Sequence, residues 1–337
     1  MEWNMRDWVQ KQLESPVKKG LPIISYPAIQ MMGITVKELI QSADLQAEGM
    51  KLVAERTNAA AAVSLMDLSV EAEAFGSEIR VTEQEVPNVV GSIIESEEDA
   101  KNLTVPKIGT GRTSIYIAAI KKAAELIQDR PVLAGVIGPF SLAGRLMDVT
   151  EVMYLCFDEP DMVHMVLEKV TEFLIAYIKE YKAAGANGVV IAEPLAGLLG
   201  PDLADEFSVE YMKRIVDAVQ EKDFAVVTHN CGNTALKTAE GIFSNGSMAY
   251  HFGNCINMKE MLKIAPSDRL IMGNVDPAGE FLNGSKESIY AKTKALLEEC
   301  GMYQNFVISS GCDVPPLSSW DNIESFFQAV SDYYQGK

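Results

Sequence analysis

Short apolar runs alternate with longer amphipathic stretches along almost the whole chain. The runs fall at 21–26 (LPIISY), 60–66 (AAAVSLM), 132–137 (VLAGVI), 187–193 (NGVVIAE), 224–229 (FAVVTH), 247–251 (SMAYH), 269–273 (RLIMG) and 305–310 (NFVISS). Most are apolar throughout, the pattern of strands in a parallel sheet that is covered on both faces. Helical periodicity fills the intervals, at 43–58, 111–128, 160–183, 205–220, 257–264 and 284–299. The stretch DEPDMVHMVLEKV carries entry signals, with Asp158 ahead of Pro160 in the first turn, and the last helix runs into Cys300-Gly301, a glycine stop. Eight strands with helices between them predict an α/β fold, a (β/α)8 TIM barrel. The alternative is an open doubly wound sheet, but no G-x-G-x-x-G follows a strand, so a dinucleotide fold has little support.

No linker rich in Pro, Gly or Ser interrupts the pattern, so residues 1–337 read as one barrel domain. An N-terminal helical extension occupies about 1–20, and an excursion at about 68–110 includes a possible hairpin, SEIRVTEQEVPNVV.

Composition narrows the function classes. At 48% hydrophobic and 23% charged, this is an ordinary globular chain, with no apolar run near the roughly 18 residues of a membrane span. The N-terminus MEWNMRDWVQKQLES lacks the apolar core of a secretory signal, and five scattered cysteines fit a reducing compartment, so a cytoplasmic protein is expected. A formal charge of −18 argues against a nucleic-acid partner, which asks for a basic face.

The barrel reading puts chemistry at the C-terminal ends of the strands. Asp67, Gly138-Pro139, Glu193-Pro194, His229 with Cys231, His251, Asn274 with Asp276, and SSGCDVPP with Cys312 all fall there. Read alone, His-x-Cys equally describes a buried histidine and a buried thiol. With Cys312 as third member it becomes a sensible Zn²⁺ set: one imidazole, two thiolates and a fourth position open for chemistry. Structural zinc sites favour close Cys-x-x-Cys pairs, and none exists here. Cys156 and Cys300 lie in helical patterns and Cys255 opens a loop, which reads as packing or surface.

These residues resemble a known family. THNCGNT together with SSGCDVPP is similar to the His-x-Cys…Cys zinc signature of methylcobamide:thiol methyltransferases of the coenzyme M type, within the uroporphyrinogen decarboxylase superfamily. The segments SLMDLSVEAEAFGSEI (64–79), GVIGPFSLAGRLMD (135–148), GANGVVIAEPLAG (185–197) and MGNVDP (272–277) agree, and the resemblance runs from about 20 to 333. It implies a (β/α)8 barrel, zinc on His229, Cys231 and Cys312, and transfer of a methyl group from a methylated corrinoid to a small thiol. Glu193 is the first candidate for the fourth zinc position or for a direct part in the chemistry, and Asp67 the second. His251 reads as structural. Corrinoid carriers often use Asp-x-His-x-x-Gly, but Met162, Val227 and Ala249 stand two residues before the three histidines. The methylcobamide is therefore expected on a separate corrinoid protein docking at the barrel mouth. The superfamily's other chemistry is metal-free decarboxylation of a porphyrinogen. That reading lacks its N-terminal arginines, since Arg6 is the only one before residue 56. A non-catalytic zinc- or corrinoid-binding barrel is the third reading.

Overall fold

A computed structural model describes residues 3–335. Seven strands form one parallel sheet: β1 (Ala62–Val63), β4 (Val132–Ile137), β5 (Gly188–Ala192), β6 (Ala225–Asn230), β7 (Ala249–Phe252), β8 (Leu270–Val275) and β9 (Phe306–Ser310), paired in that order. The excursion between β1 and β4 carries the hairpin of β2 (Glu78–Arg80) and β3 (Asn88–Val90), together with helices Val70–Phe75 and Glu97–Asn102.

The expected first strand, 21–26, is not a regular strand. It is an extended segment that bridges the two edges of the sheet. Ala60 donates its N–H to the Gly20 carbonyl on one side, and Leu21 donates to Ile308 on the other. Pro22 has no N–H, so a continuous ladder cannot form. On the β9 side, side chains carry the contact: the Ile23 N–H goes to Ser310 Oγ, and Ser309 Oγ donates to the Leu21 carbonyl. The barrel therefore closes through an irregular eighth member.

Strand alternation sorts the core. Leu133, Val190, Ala192, Ala225, Val227, Ala249, Leu270, Met272 and Val307 cluster inside the barrel with Leu21 and Ile23. Their neighbours Ala134, Val136, Val189, Ile191 and Val226 pack outward under the helices. The interior is filled side chain against side chain rather than hollow. Met5, Trp8 and Val9 of the N-terminal helix Met5–Glu14 join the inner cluster, so this helix plugs the end away from the strand C-termini. The outer layer includes the 24-residue helix Pro160–Ala183. The expected helix over 205–220 appears as Asp205–Val209 with wide π turns followed by the regular helix Glu210–Val219. No helix among the described residues is long and apolar enough to cross a membrane.

Candidate metal centre at the barrel mouth

The two-residue period that buries Ala225 and Val227 carries on to His229 and then to Cys231. On β7 the same period runs from Ala249 to His251, and on β9 from Val307 to Ser309. His229 and His251 are direct partners in the β6–β7 register. The top interior layer of the barrel is therefore polar where the layers below it are aliphatic.

One ring nitrogen of His229 and the sulfur atoms of Cys231 and Cys312 all lie within 4.8 Å of one another. Zinc bonds of about 2.0–2.3 Å in a tetrahedral arrangement would place such donors about 3.3–3.8 Å apart, so only a small contraction separates this cluster from a ligand set. His229 is buried, and its Nε2 has no hydrogen-bond partner. A buried lone pair without a partner is unfavourable unless something occupies the space it faces. A soft cation with nitrogen and sulfur preference fits that demand.

Glycines bring the loops close. A methyl group added at Gly232 would overlap the backbone of Gly197 in the loop after β5, and one at Gly253 would overlap Cys231 itself. Thr234 fastens the first contact by donating its Oγ1 to the Gly197 carbonyl at 2.8 Å. Cys255, set aside on the sequence, sits at the edge of the group, with its thiol 3.2 Å from the Cys231 carbonyl.

The Cys231 and Cys312 thiols lie side by side. The neighbouring Cys312 thiol lowers the pKa of Cys231, against the opposing effect of burial. The Cys231 thiol, and then burial, push Cys312 up to about 12, against the opposing effect of His229. Asp313 follows directly; burial and the neighbouring Cys312 hold its carboxyl well above the usual range, and neither oxygen has a hydrogen bond of normal geometry.

Asp67 stands in a separate knot. Its Oδ1 accepts from the Ser69 N–H at 3.1 Å and the Ser69 hydroxyl at 2.5 Å; its Oδ2 accepts from the Tyr116 hydroxyl at 2.6 Å and pairs with Arg112. Arg112 also reaches Glu73, 2.6 Å from Nε. The Tyr26 hydroxyl faces this knot and Asp313; burial, then Asp67 and Asp313, raise its pKa well above 10. Glu193 begins next to His229, since its N–H donates to the His229 carbonyl at 2.8 Å. Its carboxylate turns away, accepting from the Ser141 N–H at 3.1 Å and the Ser208 hydroxyl at 2.9 Å. It thereby ties β5 to the first turn of helix Pro139–Met147. The structure thus gathers His229, Cys231 and Cys312, and holds Glu193 and Asp67 apart from them. Sequence reading missed Asp313 beside Cys312, and it missed Arg112, Tyr116 and Tyr26 around Asp67.

Two buried carboxyls predict a pH dependence. Burial raises Glu193 to about 7 and Glu71 to about 8, from 4.5. Glu71 keeps one hydrogen bond, 3.2 Å from the Ile137 N–H, and leaves Oε2 without a partner. Both groups bind protons more tightly folded than unfolded. Their contribution to stability is therefore complete below about 4.5 and is lost as pH rises through about 7 and 8. For Glu71 the loss is on the order of 4 kcal/mol. Glu71→Gln should flatten the fall in unfolding free energy between pH 5 and pH 9. Urea unfolding at several pH values measures this, and an unchanged slope contradicts the assignment.

The family model "Uroporphyrinogen decarboxylase (URO-D)" matches residues 22–333. Among curated relatives, the methylcobamide:CoM methyltransferase MtbA of Methanosarcina mazei is 28% identical over 280 residues, covering 79% of this chain and 78% of that protein. A uroporphyrinogen decarboxylase of Myxococcus xanthus is 25% identical, covering 96% of this chain and 90% of its own. Among solved structures, a methyltransferase from Methanosarcina mazei superposes with a TM-score of 0.85 at 25% identity, covering 99% of this chain and all of that one.

Proposed function

The chain belongs to the uroporphyrinogen decarboxylase family, and we propose that within it this protein is a zinc-dependent methyltransferase that moves a methyl group from a methylated corrinoid to a small thiol. The observation that carries this reading is the buried, unpartnered Nε2 of His229 beside two thiols at the mouth of the barrel. The relatives named methylcobamide:CoM methyltransferases support it.

A bound Zn²⁺ supplies an open position at which an acceptor thiol loses its proton near neutral pH, although a free thiol ionises near 8.5. The protein's own residues do the rest. His229, Cys231 and Cys312 hold the ion, and two thiolates cancel its charge, so the acceptor sulfur keeps its nucleophilic character. The Gly197–Gly232 contact fixes the loop that carries Cys231. Glu193 and Asp67 shape the walls of the mouth through their own partners. The corrinoid arrives on a separate protein docking at that mouth, because no histidine here has an aspartate two residues before it. Five free cysteines and no disulfide among the described residues suit a reducing compartment such as the cytoplasm.

If the acceptor binds as thiolate, its binding releases a proton at pH 7. Calorimetry with 2-mercaptoethanol or coenzyme M in buffers of different ionisation enthalpy counts that proton. Release of about one proton by the zinc-loaded protein, and none by Cys231→Ser, is expected. Equal binding to zinc-free protein without proton release contradicts the reading.

A further inference from the structure

The unpartnered nitrogen of His229 points to a second function for its neighbours. We propose that His251 and Ser309 are positioning residues that fix the tautomer of His229, so that Nε2 offers a lone pair to the metal. The proposal rests on the metal reading above for its purpose, and on hydrogen-bond geometry for its substance.

The Leu21 carbonyl can only accept, and Ser309 Oγ lies 2.7 Å from it. Without a proton between them two oxygens at that distance repel, so the single Ser309 proton is committed to Leu21. Ser309 Oγ is also 2.7 Å from His251 Nε2. Having spent its proton on Leu21, Ser309 accepts there, so His251 carries its proton on Nε2. Neutral His251 then has a lone pair on Nδ1. His251 Nδ1 is 2.7 Å from His229 Nδ1, and that contact needs one proton, which must come from His229. The His251 carbonyl, 3.3 Å from the same His229 nitrogen, also accepts only and selects the same tautomer. His229 is left with its lone pair on Nε2, the buried atom that has no partner.

The fold builds this relay by register. His229 and His251 face each other across β6 and β7, and Ser309 stands on the interior face of β9. The rings meet edge to face, 4.6 Å between centroids at 72°, which aims one ring nitrogen at the other. The relay ends on the Leu21 carbonyl of the bridging segment, which faces β9. Metal-bound histidines commonly donate their second N–H to a carboxylate, a carbonyl or water. Here a second histidine takes that place.

The test uses ring nitrogens and metal affinity rather than turnover. The chain has three histidines, and His164 lies apart from the site on Tyr211 and Glu206, so long-range ¹H–¹⁵N spectra of ¹⁵N-histidine-labelled protein resolve each ring. In metal-free wild type near pH 7 the expected pattern is a proton on Nδ1 of His229 and on Nε2 of His251. A proton on Nε2 of His229, or on Nδ1 of His251, overturns the proposal. In chelator competition, His251→Phe should bind Zn²⁺ about 10–100 times more weakly than wild type. His251→Gln, whose amide can accept from His229 and donate to Ser309, should recover most of that loss. Equal affinity of wild type and His251→Phe, or no recovery in His251→Gln, overturns it too. Wild type that takes up no zinc refutes the metal reading, while the spectra of the metal-free protein still decide the relay.

Discussion

Cys312→Ser should purify with less than about a tenth of the metal bound by wild type, and its methyl transfer to a thiol should fall by about a thousandfold. Serine offers a hard, neutral hydroxyl where the ion prefers a thiolate, and the remaining histidine and single thiol make a poor site. The activity estimate corresponds to losing several kcal/mol of thiol activation. Cys156→Ser and Cys300→Ser are the controls. Both thiols lie in helices, and burial pushes each up to about 12, far from ligand duty. Elemental analysis and methylcobalamin assays on the three variants read the result. Full metal content in Cys312→Ser, or equal loss in the controls, shows that the cluster is not the metal centre.

Arg112→Met should be the most destabilising substitution outside the ligand set. The Asp67 side chain is completely buried and the Arg112 side chain is 9% exposed, so the pair is desolvated on both sides. Removing the guanidinium leaves Asp67 without its ion partner and frees Glu73 as well. Breaking a buried pair from one side costs about 3–5 kcal/mol, which lowers the melting temperature by about 4–7 °C in a chain of this size. The double variant Asp67→Asn with Arg112→Met should regain part of the loss, because the fully buried carboxylate no longer carries an unpaired charge, while Glu73 is partly exposed to water. Calorimetric melting of the single and double variants tests this. A single variant that melts within about 2 °C of wild type contradicts the account of the knot.

Much of this molecule is legible in its sequence. Strands such as 132–137 and 188–192 announce themselves because they are apolar on both faces, a pattern that helix-covered parallel strands require. His229 and Cys231 stood out as a His-x-Cys pair at the end of an apolar run with Cys312 as third member, and the structure adds that they extend the interior two-residue period of β6. The first element was not readable as it is. LPIISY has strand composition, but Pro22 offers no N–H to the β1 side, and the β9 side is met through the hydroxyls of Ser309 and Ser310. Glu193 was placed rightly at a strand end, yet its side chain turns to Ser141 and Ser208, 52 and 15 residues away. The partners of Asp67 lie 45 and 49 residues along the chain, across the excursion. Such long-range pairings leave no local pattern, because periodicity reports which face a residue occupies and not what meets it there. His251 shows the same limit. Its burial was legible, whereas the relay through it depends on strand register.

The central claim is that a metal held by His229, Cys231 and Cys312 activates a thiol for methyl transfer. The most direct measurement follows free methylcobalamin spectrophotometrically with 2-mercaptoethanol or coenzyme M, using one preparation stripped of metal and then reloaded with zinc. Uroporphyrinogen serves as the competing substrate in parallel. The account predicts demethylation that needs both thiol and zinc, disappears on stripping, returns on reloading, and is accompanied by no porphyrinogen decarboxylation. Methyl transfer that persists undiminished in the stripped protein, or turnover of uroporphyrinogen with no thiol methylation, would contradict it.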